Sequence, residues 1–130
     1  MAKLDGPTTT AGGVYNGTIG TALVAGDIVL GAGWGTSPVL AITSGSNQQR
    51  GRLTITAKAT PAQATATIVI TFPFPYASAP FCINKSTTNT NSLTAAFEFT
   101  CTTTTTAATF TANVIPVADA VYTLDYAFSL

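Results

Sequence analysis

Histidine is absent from this chain of 130 residues. Histidine is the commonest general base in enzymes and a common ligand of protein-bound metals. Without it, neither a Ser-His-Asp nor a Cys-His catalytic arrangement can be built. The two cysteines cannot complete a zinc site by themselves. The composition therefore predicts a protein that is not an enzyme and holds neither a metal nor another cofactor.

Charge is also scarce. Only 8% of the residues are charged, against about 25% in an average globular chain. Five basic residues balance five acidic ones, so the formal net charge is zero. Such a chain has no long-range field that would attract nucleic acid or an anionic membrane, and little repulsion to keep its copies apart. We therefore expect no nucleic-acid or membrane partner, and hypothesise that the protein buries surface in an assembly.

Long apolar runs are missing as well. No stretch reaches the roughly 18 apolar residues of a membrane-spanning helix, and Met1–Pro7 lacks the apolar core of a secretory signal. These features predict synthesis and folding in a cytoplasm, where thiols stay reduced. Cys82 and Cys101 both fall in apolar, strand-like runs, and we interpret them as small buried hydrophobic residues.

Threonine dominates what is present, with 26 residues. It is β-branched and favours strands, and its hydroxyl keeps an exposed sheet face wet without adding charge. From Thr21 onward, apolar residues alternate with polar ones, and no segment shows helical periodicity. Short strands at turn spacings of about ten residues are typical of sandwiches and barrels. We predict an all-β fold, an antiparallel β-sandwich of about eight strands that resembles a jelly roll.

The chain divides into two predicted regions. Residues 1–20 are rich in Gly, Thr and Ala and are predicted to form an extended N-terminal arm. The few apolar anchors of this arm, Val14, Tyr15 and Ile19, are candidate assembly contacts. Residues 21–130 are predicted to form a single β-sandwich domain.

Several turns can be located from the sequence. The strand that ends at Phe72 runs into Pro73 and Pro75, which cannot donate to a sheet ladder and so should end pairing and turn the chain. Phe74 and Tyr76 are expected to pack under this corner. Ser86–Asn91 is predicted to be a polar turn, and Thr102–Thr106 a loop or a strand edge.

Two motifs suggest chemistry but have better structural explanations. Gly31, Gly33 and Gly35 have the glycine spacing of a phosphate loop, but a phosphate loop leads into a helix, and here Pro38 and a strand-like run follow. Glu98 and Asp125 could in principle form the facing carboxylate pair of a glycosidase. We interpret Glu98 and Asp125 as solvent-facing strand residues.

Three further residues are candidate assembly contacts. Trp34, the only tryptophan, either anchors the glycine loop on the fold or serves an interface. Arg50 and Arg52 are the only close basic pair. They could clamp a phosphate or a carboxylate, or pair with an acidic group within the fold or across a subunit contact.

From Trp34 to its end, the chain resembles a β-rich domain of bacteriophage virion proteins, namely capsid surface proteins, minor structural proteins and tail-fibre tips. The resemblance is carried by a pattern of strands and corners: Gly33-Trp34-Gly35-Thr36, the turn Ser44-Gly45-Ser46-Asn47 with Arg50-Gly51, Leu53-Thr54-Ile55-Thr56-Ala57, Thr67-Ile68-Val69-Ile70-Thr71-Phe72, Tyr76-Ala77-Ser78-Ala79-Pro80-Phe81, and Pro116-Val117-Ala118-Asp119-Ala120-Val121-Tyr122.

The resemblance implies a structural, commonly trimeric domain. A domain with a short arm and no fibre shaft is similar to a capsid decoration or cement protein, made in the bacterial cytoplasm and bound to the major capsid protein or another virion protein on the capsid surface. The alternative is a tail-fibre or adhesin tip that recognises a host glycan, for which Trp34 or Tyr76 would line a groove. A polysaccharide depolymerase is disfavoured by the missing histidine and sparse carboxylates.

Overall fold

A computed structural model describes residues 20–58, 65–90 and 96–130. Within these ranges the chain forms eight strands, together with two single 3-10 turns at Ala25–Asp27 and Ala32–Trp34. The strands are β1 (Ile28–Leu30), β2 (Val39–Ile42), β3 (Arg50–Thr56), β4 (Thr67–Thr71), β5 (Phe81–Thr88), β6 (Phe99–Thr103), β7 (Ala107–Ala112) and β8 (Val121–Ser129).

The strands form two four-stranded antiparallel sheets. Sheet I has the order β1-β4-β7-β6, and sheet II has the order β2-β3-β8-β5. The predicted all-β class and the two-sheet sandwich are confirmed. This strand order does not confirm the expected jelly-roll topology.

The core lies between the two sheets because side chains alternate along each strand. On β8, the inward side chains Tyr122, Leu124, Tyr126 and Phe128 are buried, while their neighbours are only half-buried. The alternation predicted for this strand is therefore confirmed. Aromatic rings fill much of the core and meet edge-on or tilted, as with Phe72 and Phe128, whose centroids are 5.2 Å apart. Such geometry suits the ring quadrupoles.

The edge strands β5 and β6 meet at one side of the sandwich. Ser86 Oγ, on β5, donates a hydrogen bond to the carbonyl oxygen of Phe97, just before β6, at 3.0 Å. Since β5 and β6 are edges of their respective sheets, the opposite edges, β1 and β2, lie on the other side. The sandwich therefore has a β5–β6 side and a β1–β2 side.

The predicted turn at Ser86–Asn91 begins too early. Ser86, Thr87 and Thr88 belong to β5, where they pair with Leu124, Thr123 and Tyr122 of β8. Polar side chains alone do not end a strand when a partner strand continues to pair with its backbone. Thr102–Thr106 is predicted to be a loop or a strand edge, and it contains both. Its first two residues end the edge strand β6 at Thr103, and the remaining residues form the turn that leads into β7.

Residues 21–25, where the alternation of apolar and polar residues begins, do not form a strand. Ala22 forms an isolated bridge to Asn47, and a 3-10 turn begins at Ala25. Residues 1–19 of the predicted arm, including Val14, Tyr15 and Ile19, lie outside the described residues.

Candidate functional site

An ion pair lies on the outer face of sheet II, where Arg52 binds Asp125. The register of β3 and β8 sets the two residues directly opposite each other. Arg52 Nε donates to Asp125 Oδ1 at 2.6 Å, and its Nη2 donates to Oδ2 at 2.9 Å. This two-pronged pair lowers the pKa of the Asp125 carboxyl, chiefly through the hydrogen bonds, with the charge of Lys85 adding to the effect. It also raises the pKa of Arg52.

Beside this pair lies a shallow groove of about 410 Å³, walled by the turn that precedes β3. The turn is held by its own side chains. Asn47 Oδ1 accepts hydrogen bonds from the backbone N–H groups of Gln49 and Arg50, at 2.8 and 3.0 Å. Tyr126 donates its hydroxyl to the carbonyl of Asn47 at 2.6 Å. Burial of this phenol raises its pKa.

Close packing at the groove requires a glycine. A Cβ placed on Gly51 would collide with the side chain of Ser46 and approach the Tyr126 hydroxyl at 2.7 Å. Ser46 Oγ accepts a hydrogen bond from the Arg52 N–H at 3.0 Å. The floor of the groove is thus a closely packed turn that side-chain hydrogen bonds hold in place.

The groove offers little chemistry. The guanidinium of Arg52 already binds a carboxylate of its own chain, while Arg50 is exposed at the rim. Among the described residues, no group of three or more Cys, Asp and Glu side chains could hold a metal ion. Of the two interpretations of the arginine pair, the structure shows that Arg52 pairs with an acidic group within the fold.

The two candidate catalytic carboxylates do not meet. Asp125 points outward from sheet II, since its neighbours Leu124 and Tyr126 are buried. Glu98 is exposed between the buried Phe97 and Phe99, at the start of the sheet I edge strand. The two side chains therefore face away from opposite sheets, and this pair cannot act across one cleft as a glycosidase requires.

Trp34 is completely buried. Its indole Nε1 donates a hydrogen bond to the carbonyl of Thr67 at 2.9 Å, and its ring packs edge-on against Tyr122 with centroids 5.5 Å apart. Of the two interpretations of Trp34, the structure shows the anchor, because the side chain leaves no surface for a partner.

The glycine loop is a backbone crossing and not a phosphate cradle. Gly35 has φ +90°, and a Cβ there would collide with the carbonyl of Lys58. The N–H of Lys58 in turn donates to the carbonyl of Trp34 at 2.8 Å. After the single 3-10 turn the chain enters β2 and not a helix. The glycine spacing therefore reflects a close backbone approach.

The proline corner is fastened by a residue that sequence reasoning passed over. Gln48 is buried, and its side-chain amide bonds both backbone groups of Phe74: Nε2 donates to the carbonyl at 2.8 Å, and Oε1 accepts from the N–H at 3.0 Å. Tyr76 is half-buried under the corner, as predicted, and packs edge-on against Phe72. Phe74 is 40% exposed, so its predicted packing is only partial.

Sequence reasoning also missed an apolar surface on edge strand β5. Phe81 and Ile83 are 75% and 69% exposed, and Ile83 lies beside Ala127 of β8. We call Phe81, Ile83 and Ala127 the β5 surface. Its signal was present as an alternation of Phe81 and Ile83 with Cys82 and Asn84, but alternation does not say which face is inside.

Two further exposed apolar residues lie on the β1–β2 side, one in each sheet. Val29 of β1 and Val39 of β2 are 57% and 53% exposed. Val29 points away from sheet I and Val39 points away from sheet II, because their neighbours Ile28 and Leu40 pack toward the core. The two residues therefore mark one side of the sandwich but do not form one patch. Val39 shares the outer face of sheet II with the β5 surface but lies at the opposite edge, because β2 and β5 are the two edge strands of that sheet.

No helix in the described part of the chain is long and apolar enough to cross a membrane. No protein-family model matches the sequence, and neither a curated protein nor a solved structure matches it significantly. The class that the fold defines is thus an antiparallel β-sandwich, and its function has to be argued from its surfaces.

Proposed function

We propose that this protein is a non-enzymatic structural component of a bacteriophage virion that decorates or cements the capsid as a homotrimer. The observation that carries the assembly is the presence of exposed apolar side chains at both edges of sheet II, the β5 surface at one edge and Val39 at the other, on a chain with no net charge. The virion setting is supported by the sequence resemblance from Trp34 onward.

The β5 surface is proposed to contact a second copy of the chain. A ring of three copies needs a head-to-tail interface, in which one patch of a subunit meets a different patch of the next. The β5 surface and Val39, at the opposite edges of sheet II, supply two such contacts, whereas a two-fold dimer would need only one self-complementary patch. Pairing them would also cover sheet edges that otherwise present unpaired backbone groups.

Charge agrees with close packing. The outer face of sheet II carries a row of alternating charges. The registers of β5, β8 and β3 place Lys85, Asp125 and Arg52 side by side. The net charge of zero leaves no general repulsion between copies.

The adhesin alternative depends on aromatic side chains around a groove. Trp34 is buried, and Tyr76 is half-buried with its hydroxyl directed at the Gln48 carbonyl, 3.5 Å away. The structure therefore offers no specific observation in favour of this alternative.

Light scattering of the purified chain tests the trimer. We expect a mass of three chains at micromolar concentration and a monomer for the double variant F81S/I83S. I115S is the matched control, since Ile115 is 49% exposed but lies outside the β5 surface. A monomeric wild-type protein, or an F81S/I83S variant that remains trimeric, would overturn the proposed contact. Mass spectrometry and subunit-resolution imaging of purified virions test the virion setting, and absence from the particle would refute it.

A further inference from the structure

Two side-chain hydrogen bonds fix the register between β5 and β6, although the two strands belong to different sheets. Thr103 Oγ1 donates to the carbonyl of Pro80 at 2.6 Å, and Ser86 Oγ donates to the carbonyl of Phe97 at 3.0 Å. Advancing six residues from Pro80 to Ser86 corresponds to going back six residues from Thr103 to Phe97. The two edges therefore run antiparallel in a single register.

This register sets the two cysteines opposite each other. Cys82 lies two residues after Pro80, and Cys101 lies two residues before Thr103. At both ends of this contact between β5 and β6, a hydroxyl oxygen bonded directly to Cβ reaches a carbonyl of the facing backbone. The two backbones are therefore close enough for facing side chains to meet. The sulfur of cysteine occupies the same γ position and is larger. Both cysteines are free and half-buried.

The two thiols also interact electrostatically. The neighbouring Cys101 thiol lowers the pKa of the Cys82 thiol, and the neighbouring Cys82 thiol, together with burial, raises the pKa of the Cys101 thiol. Cys82 is thus the better nucleophile of the two, since the thiolate is the reactive form.

We propose that Cys82 and Cys101 form a redox-sensitive pair that closes to an intramolecular disulfide between the two sheets. The oxidant is a small-molecule disulfide, such as oxidised glutathione. The Cys82 thiolate attacks one of its sulfur atoms, and the first glutathione leaves and takes up a proton. Cys101 then loses its proton to solvent and attacks Sγ of Cys82, which releases the second glutathione. Two protein thiols are oxidised, and one oxidant disulfide is reduced to two thiols.

The bond would tie sheet I to sheet II at the β5–β6 side. It would close the chain segment from Cys82 to Cys101, and a loop of this size should raise the melting temperature by roughly 10 °C. A reducing compartment keeps the pair open, and an oxidising one closes it. The proposed disulfide between Cys82 and Cys101 is independent of the proposed function as a virion protein.

The test uses the full-length protein in a glutathione redox buffer. After oxidation, remaining thiols are blocked in denaturant, and peptides are mapped without reduction. We expect a Cys82–Cys101 peptide pair that links two positions of the same chain. Dithiothreitol should reverse it, and the melting temperature should rise on oxidation. The variants C82S and C101S, each compared with and without oxidant, should show no rise.

A second measurement needs no variant. Dibromobimane becomes fluorescent when two neighbouring thiols displace both of its bromines, so the reduced wild-type protein should become fluorescent under native conditions. Two thiols that remain fully alkylatable after oxidation would overturn the proposal. So would a stable glutathione adduct on Cys82, or a disulfide between two chains.

Discussion

The side chain of Gln48 forms hydrogen bonds with both polar backbone groups of Phe74, at 2.8 and 3.0 Å. The turn before β3 and the proline corner after β4 are separated by 26 positions in the chain, and this amide joins them. Pro73 and Pro75 have no N–H to contribute to a ladder, so a side chain takes over the task that strand pairing performs elsewhere.

Replacing Gln48 with alanine should therefore destabilise the fold by about 1–3 kcal/mol, because two part-buried hydrogen bonds to the backbone of Phe74 are lost. Q49A is the matched control: Gln49 is exposed, and its side chain should matter by less than about 0.5 kcal/mol. Denaturant midpoints measure both. Equal midpoints for Q48A and the wild type would contradict the role assigned to the amide.

Replacing each of three glycines with alanine would distinguish the cost of backbone strain from the cost of a steric collision. Gly35 combines φ +90° with a collision against the Lys58 carbonyl, whereas Gly45 has φ +89° with open space around it, and Gly26 has neither constraint. We expect a cost of at least about 3 kcal/mol for G35A, about 1–2 kcal/mol for G45A, and a change near zero for G26A. Thermal unfolding ranks the three variants. A G45A variant as unstable as G35A would show that strain and not collision dominates at Gly35.

Stability should fall in alkaline solution. Burial raises the pKa of the Tyr126 phenol in the folded state above its ordinary value of 10.0, and that of Tyr76 in the same direction. Folding then favours the neutral phenol, so this contribution is complete below pH 10 and is lost progressively as the pH rises above it.

The variant Y126F should weaken that alkaline loss without abolishing it, since Tyr76 still titrates. At neutral pH it should cost about 1 kcal/mol, because the Asn47 carbonyl loses its donor. Denaturant midpoints at a series of pH values check both effects. An unchanged slope above pH 10 would show that ionisation of Tyr126 is not linked to unfolding.

Deleting residues 1–20 tests the predicted attachment arm. The core cluster of the described residues begins at Leu23, so the truncated chain should keep the melting temperature of the full chain. We expect weaker co-sedimentation with purified capsid shells, with F81S/I83S as a comparison that impairs the trimer but retains the arm. Unchanged shell binding after truncation would remove the arm from the proposed function.

The sequence alone was sufficient for the all-β class, because period-two alternation is a local property of each strand. It also located the proline corner, since the missing N–H of proline acts at its own position. It could not reveal that Gln48 fastens this corner, because glutamine is usually exposed and the contact joins distant segments. For Phe81 and Ile83, alternation separated two faces without stating which one packs inward.

The sequence by itself determined two kinds of property. Strand formation and the corner at Pro73 and Pro75 depend only on neighbouring residues, while the absence of histidine and the net charge of zero follow directly from composition. The tertiary structure alone decided which elements meet. It buried Trp34, gave Arg52 its partner Asp125, and set Cys82 level with Cys101, because strand order and register join positions that are remote in the chain.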